Sequence, residues 1–377
     1  MKKIIFDVDG VLLSEEHYYD VSGLTVWEIL YGRAYMGLPS EREDFVPAAV
    51  TDGQTAAIRQ AVWGGDRLLA WLRGKGLNSN WDMVHAWLIT AFWLMAEEYQ
   101  RRTGGDVLPL SFRTESDFRR AGMELMGLPV PKADAVLARW EVSVPETAEG
   151  AAVIRALAEA MRPAFDEIPE WTAAGSDFSR MCAEAFQSWY LGDDGFIARN
   201  RRLPVSGGKK GFLRKEQPLA PAGEILALFR RLKAEGWELA VATGRSREET
   251  EIPFRQFGWY EGFDPLFIAS GSDAWEASKK LGGVFLDKPH PFLYECAAYG
   301  RRPEAYREYA EGAVRPAAGD EIWVIGDSEA DRLGAEAAGF RFLGILTGLE
   351  GTRAAEHFRR AGVPFAERVT AIEQIVG

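Results

Sequence analysis

The chain changes texture twice. Residues 3–8 form a short apolar run that meets Asp7, Asp9 and Gly10, the pattern of a buried parallel strand ending in a loop. From about residue 15 to about 202 the period lengthens. Trp81, Val84, Leu88, Phe92 and Met95 recur at three- and four-residue spacing and predict an apolar helix face over 81–99. Helices are also predicted over 112–126, 132–140 and 151–161, separated by Pro129, Pro131, Pro145 and Pro163. Strand-type alternation is scarce in this stretch.

After Pro218 strands and helices alternate. Residues 222–235 predict a helix stopped by Gly236, and 237–242 a strand ending at Thr243-Gly244-Arg245. Helix 247–257, strand 266–269 and helix 273–281 follow. Residues 284–286 predict a short strand before Asp287-Lys288-Pro289. A strand over 321–325 runs into Gly326-Asp327, then a helix to Ala338 and a strand over 340–346. Such alternation predicts an α/β fold, a parallel sheet with helices on both faces. The first strand stands about 200 residues ahead of the other units, which an insertion directly after strand one explains. The expected division is a core of 1–14 and 216–377 and an inserted, mainly α-helical domain of 15–215.

Composition narrows the class. A formal charge of −12 argues against a broad nucleic-acid footprint. The two cysteines, Cys182 and Cys296, make neither metal spacing nor a disulfide framework and read as buried thiols. The apolar start is broken by Asp7 and Asp9, too early for a signal peptide, and 86–96 is too short to span a membrane. The expectation is a cytoplasmic protein with no nucleic-acid or membrane partner.

Ligands of open parallel sheets bind at the carboxyl ends of the strands. Four polar clusters are predicted there: Asp7/Asp9, Thr243, Lys288 and Asp327/Asp331. Two carboxylates at i and i+2 of an extended strand end point together and repel unless a cation separates them or one is protonated. A hard divalent ion such as Mg²⁺ resolves that conflict. Thr243-Gly244 before a helix suits a phosphoryl group, and Lys288 can neutralise one. Taken singly, each Asp or Thr can also be a simple cap, and a lone lysine a solvated one.

Asp7-Val8-Asp9-Gly10-Val11, Val241-Ala242-Thr243-Gly244-Arg245, Lys288-Pro289 and Gly326-Asp327-Ser328-Glu329-Ala330-Asp331 resemble the four ordered motifs of the haloacid dehalogenase superfamily. The resemblance covers about half the chain and implies a Rossmann-like core; an insertion between the first two motifs resembles that family's helical C1 cap. It further implies that Asp7 is the nucleophile, that Asp9 is the general acid and base, and that Thr243, Gly244 and Lys288 bind the phosphoryl group. Mg²⁺ would lie on Asp7, Asp9 (through its main-chain carbonyl), Asp327 and Asp331, the last as ligand or as orienter. An acid at position 9 implies a phosphatase acting on a small phosphorylated metabolite. The sugar-phosphate mutases of the same superfamily share both aspartates and remain an alternative, as does a non-catalytic binding module.

The insertion is larger than the usual helical cap, so its contacts do not transfer. Within 199–215 stand Arg199, Arg201, Arg202, Lys209, Lys210, Arg214 and Lys215, interrupted by Gly207, Gly208 and Gly211 and free of acidic residues. This segment reads either as a flexible basic hinge that attracts an anionic substrate or as a solvated linker. Trp63, Trp71, Trp81, Trp87 and Trp93 read as core.

Overall fold

The computed structural model describes residues 1–40, 45–77, 79–348, 351 and 354–376. The chain divides into two compact units, one of Met1–Glu15 with Leu213–Gly377 and one of Glu16–Phe212.

The first unit is built on a six-stranded sheet of order β3-β2-β1-β4-β5-β6, every pair parallel. The strands are β1 (Lys2–Phe6), β2 (Glu238–Ala242), β3 (Ile268–Ala269), β4 (Glu321–Gly326), β5 (Arg341–Ile345) and β6 (Phe365–Ala366). The isolated first strand lies in the middle because its residues are apolar in both directions. Ile4 and Phe6 enter one core layer with Ile225, Leu228, Phe229 and Phe254, while Ile5 enters the opposite layer with Ala274, Phe292, Leu293 and Ala335. Alternation across the pleat thus supplies two helical layers from one short strand. Truncating Phe6, which is fully buried and edge-on to Phe229 at 5.3 Å, would cost about 3–5 kcal/mol.

Two predicted elements differ. Residues 284–286 are loop rather than strand; Val284 and Phe285 are exposed and only Leu286 is buried, so no apolar strand face exists there. Lys288 is therefore carried by a loop, across a cis Lys288–Pro289 bond, and not by a strand end. The helix expected over 112–126 is confined to Asp117–Glu124. Oδ2 of Asp117 accepts from the amides of Arg113 and Thr114 at 2.8 Å each, which holds the chain out of helix until that residue.

The second unit is helical. Its long helices Glu16–Tyr31, Asn80–Thr103 and Asp177–Asn200 pack on one another. Trp63, Trp87 and Trp93 are buried there, whereas Trp81 is 38% exposed at the start of its helix. The basic segment is not a free hinge. Lys209 is buried, its ammonium 3.0 Å from Oε2 of Glu28 and donating to the Ser206 carbonyl at 2.7 Å. The same Glu28 oxygen accepts from Trp189 at 2.8 Å. Residues 208–212 lie against a break in the helix Asp177–Asn200 at Gly192, through Asp193 N–H to the Lys209 carbonyl and Phe212 N–H to the Tyr190 carbonyl. A β-carbon on Gly192 would meet Lys210 backbone at 2.8 Å, so glycine is required for this contact. Arg202 pairs with Glu115 and Glu184. Cys182 and Cys296 are buried free thiols.

Candidate active site

The site grows from the carboxyl end of β1. Phe6 is opposite Val241 of β2 and Ile325 of β4, so one step further lies Asp7 and two steps further on the neighbours lie Thr243 and Asp327. The amide of Asp7 donates to the Ile325 carbonyl at 2.9 Å, which holds its backbone against β4. Beyond β4, Ser328 caps the helix Glu329–Ala338, and Asp331 in its first turn reaches back to that cap.

Carboxylate oxygens of Asp7, Asp327 and Asp331 all lie within 4.8 Å of one another. Nζ of Lys288 is 2.7 Å from Oδ1 of Asp7 and 2.7 Å from Oδ1 of Asp331. Burial, then Asp331, pushes the Asp7 carboxyl up to about 8, against the pull of Lys288. Burial also opposes the Asp331 charge, but Lys288, Ser328 and Tyr294 outweigh it and hold that carboxyl below the ordinary range. Three clustered carboxylates, two of them against one ammonium, offer oxygen donors and excess negative charge that fit a hard divalent cation.

Asp331 is the most saturated member. Its Oδ1 accepts from Lys288 and from the Tyr294 hydroxyl at 2.8 Å, and its Oδ2 from the Ser328 hydroxyl at 2.6 Å. That arrangement fits an orienter of Lys288 better than a metal ligand.

Asp9 departs from the expected geometry. Its carboxylate is outside the group of three and accepts at Oδ1 from Arg245 Nε at 2.9 Å and Nη2 at 2.6 Å. The i,i+2 argument fails because β1 ends at Phe6: the amides of Leu12 and Leu13 turn back to the Val8 carbonyl, and Gly10 has φ of +73°. Thr243 is fully buried, its hydroxyl accepting from the Arg245 amide at 3.1 Å, while Gly244 is exposed with open space beside it.

Sequence reasoning missed four residues: Tyr294, Arg245, Glu216, which pairs with Arg245 at 3.1 Å, and Gly348. Arg245 adjoins Thr243-Gly244 and could have been found from that position. Tyr294 sits in a mostly apolar helix, Phe292–Tyr299, and gives no signal. Gly348 is placed so that a β-carbon would lie 1.8 Å from Oδ2 of Asp327, and Gly10 so that one would lie 2.3 Å from the same atom. Both glycines leave room for that carboxylate.

The family profile of the haloacid dehalogenase-like hydrolases matches residues 130–339. A crystal structure from the Northeast Structural Genomics Consortium is similar over 100% of this chain and 98% of its own, with 29% identity and a TM-score of 0.79. Weaker likenesses include a HAD hydrolase of family IA from Entamoeba histolytica, at 11% identity and a TM-score of 0.42 over 100% and 98% of the two chains. A phosphatase from Thermococcus thioreducens matches at 18% identity and a TM-score of 0.41 over 95% and 99%. No curated protein matches the chain.

Proposed function

Because the chain belongs to the haloacid dehalogenase-like hydrolases, we propose that it is a phosphatase, hydrolysing phosphate monoesters of small molecules through an aspartyl-phosphate on Asp7. One observation carries this reading. Asp7 is held 2.7 Å from the Lys288 ammonium beside Asp327 and Asp331, while Asp9, two residues on, keeps its carboxylate clear of that group. A nucleophile and a separate proton carrier are what ester hydrolysis through a covalent intermediate requires.

Asp7 attacks phosphorus, the bond to the ester oxygen breaks, and Asp9 delivers a proton to the departing alcohol. Lys288, the Thr243 hydroxyl and the Gly244 amide take the phosphoryl oxygens as charge spreads over them. Water, giving its proton to Asp9, then attacks phosphorus, restoring the Asp7 carboxylate and releasing inorganic phosphate. Asp7, Asp327 and the main-chain carbonyl of Asp9 would hold Mg²⁺, which when bound supplies charge neutralisation for the phosphoryl group. Asp331 fixes Lys288 through the contact at 2.7 Å.

The test is phosphate release from a panel of metabolite phosphates with Mg²⁺, with EDTA, and with Asp7→Asn. Release by the wild type that disappears in Asp7→Asn supports the reading, and equal release by both overturns it. Isomerisation of a sugar phosphate with almost no release would instead identify a mutase.

A further inference from the structure

Beside the carboxylate–lysine group stands a second chain of charges, Asp9–Arg245–Glu216, of which Arg245 and Glu216 are buried. The Arg245 side chain is 1% exposed and that of Glu216 0%. Asp9, at 25%, is the member open to solvent. The guanidinium bonds Asp9 through Nε and Nη2, reaches Oε2 of Glu216 at 3.1 Å through Nη2, and donates to the Glu249 carbonyl at 3.3 Å through Nη1. A planar fork held from several sides cannot rotate without leaving a buried charge unmatched.

The position of Glu216 in the chain gives this arrangement a purpose. Residues 12–14, leaving the sheet unit, pair antiparallel with 217–219, which return to it: Ser14 N–H donates to the Gln217 carbonyl at 2.8 Å and Leu219 N–H to the Leu12 carbonyl at 3.0 Å. Asp9 precedes the outgoing segment and Glu216 immediately precedes the returning one. The charge chain thus begins shortly before the outgoing segment and ends immediately before the returning one, with Arg245 spanning between them. A buried carboxylate is costly, and a core needing only volume would take an apolar residue at 216.

We propose that Glu216 is a positioning residue for proton transfer, fixing Arg245 so that Arg245 aims the carboxylate of Asp9 at the leaving oxygen. This rests on the reading of Asp9 as the proton donor. Removing Glu216 takes away the fork's buried carboxylate partner, so its direction toward Asp9 is less closely fixed, and the penalty falls where protonation of the leaving group matters most.

The experiment measures kcat/KM for a series of substituted phenyl phosphates, from 4-nitrophenyl phosphate to phenyl phosphate, in wild type, Glu216→Gln and Arg245→Lys. The quantity kcat/KM covers binding and the step that expels the phenol. Good leaving groups need little proton assistance and poor ones need it fully, and such assistance is worth about 10²–10⁴-fold. Both variants are expected to steepen the dependence on phenol acidity, phenyl phosphate losing at least about tenfold more than 4-nitrophenyl phosphate. An equal loss across the series, or no loss, overturns the proposal. Arg245→Lys keeps the charge without the fork, and turnover of 4-nitrophenyl phosphate reports that each variant is folded. Release from 4-nitrophenyl phosphate that survives in Asp7→Asn would sink the phosphatase reading itself, a result separate from the slope.

Discussion

Nζ of Lys288 lies 2.7 Å from Oδ1 of Asp7. The same ammonium meets Asp331 at an equal distance, so one cation compensates two carboxylates whose side chains are 9% and 0% exposed. Burial opposes the charge on Lys288, and Asp331 and Asp7 together overcome it and raise its proton affinity. Lys288→Met should therefore lower kcat/KM for phosphate release by at least about a hundredfold, the scale of losing one stabiliser of developing charge. It should also destabilise the fold by about 3–5 kcal/mol, since a buried carboxylate loses its partner. Lys288→Arg should rescue poorly, because a planar fork does not replace a point charge between two oxygens. Phosphate assays with thermal melts check all three outcomes.

A cation held by Asp7 and Asp327 would bind the folded chain only, and so raise its melting temperature. At Mg²⁺ a hundredfold above its dissociation constant the gain is about 2.7 kcal/mol. Thermal melts with and without Mg²⁺ should show this for the wild type and not for Asp327→Asn, while EDTA abolishes phosphate release. An Asp327→Asn protein that still responds to Mg²⁺ would place the cation elsewhere.

The sheet was legible because β1, β2 and β4 are each apolar on both faces and end in polar residues, a pattern that periodicity reads directly. Asp7 and Asp327 could be placed at strand ends, and Asp331 in the helix turn after one, for the same reason, and the structure gathers their oxygens within 4.8 Å. The direction of Asp9 was not legible, since a turn at Gly10 and a long-range guanidinium decide it and neither is periodic. Lys288 was placed on a strand that does not exist; its loop is set by chain path, not by an apolar face. Lys209 looked like a solvated charge because its partner Glu28 is far away in sequence, on the helix Glu16–Tyr31. Pattern reading finds elements and their ends; it does not find pairs joined only by the tertiary fold.

Gly348 offers a way to move one carboxylate without changing any charge. A β-carbon there would lie 1.8 Å from Oδ2 of Asp327, closer than any real contact, so Gly348→Ala must displace that side chain. The expected result is a folded protein with a near-native melting temperature in EDTA, a weakened response to Mg²⁺ and phosphate release reduced at least about tenfold. Gly10→Ala should act similarly with an added loss of stability, because its φ of +73° disfavours any side chain. Isothermal titration with Mg²⁺ separates displacement from unfolding. Unchanged Mg²⁺ affinity in Gly348→Ala would mean that Asp327 is not a ligand.

Glu295 makes stability depend on pH away from the site. Its side chain is buried, neither carboxylate oxygen has a hydrogen-bond partner among the described residues, and burial pushes the carboxyl from 4.5 up to about 8, with Arg315 pulling weakly the other way. Below pH 4.5 the group is protonated whether the chain is folded or not, and it contributes nothing to the pH dependence. Between 4.5 and about 8 the folded chain keeps a proton that the unfolded chain has lost, so this group makes stability fall as pH rises, with the full cost reached above 8. Glu295→Gln removes that cost. Its melting temperature should match the wild type near pH 4 and exceed it by roughly a few degrees near pH 8.5. A gap that stays constant across the range, or that reverses at high pH, would show that the ionised carboxylate is compensated after all.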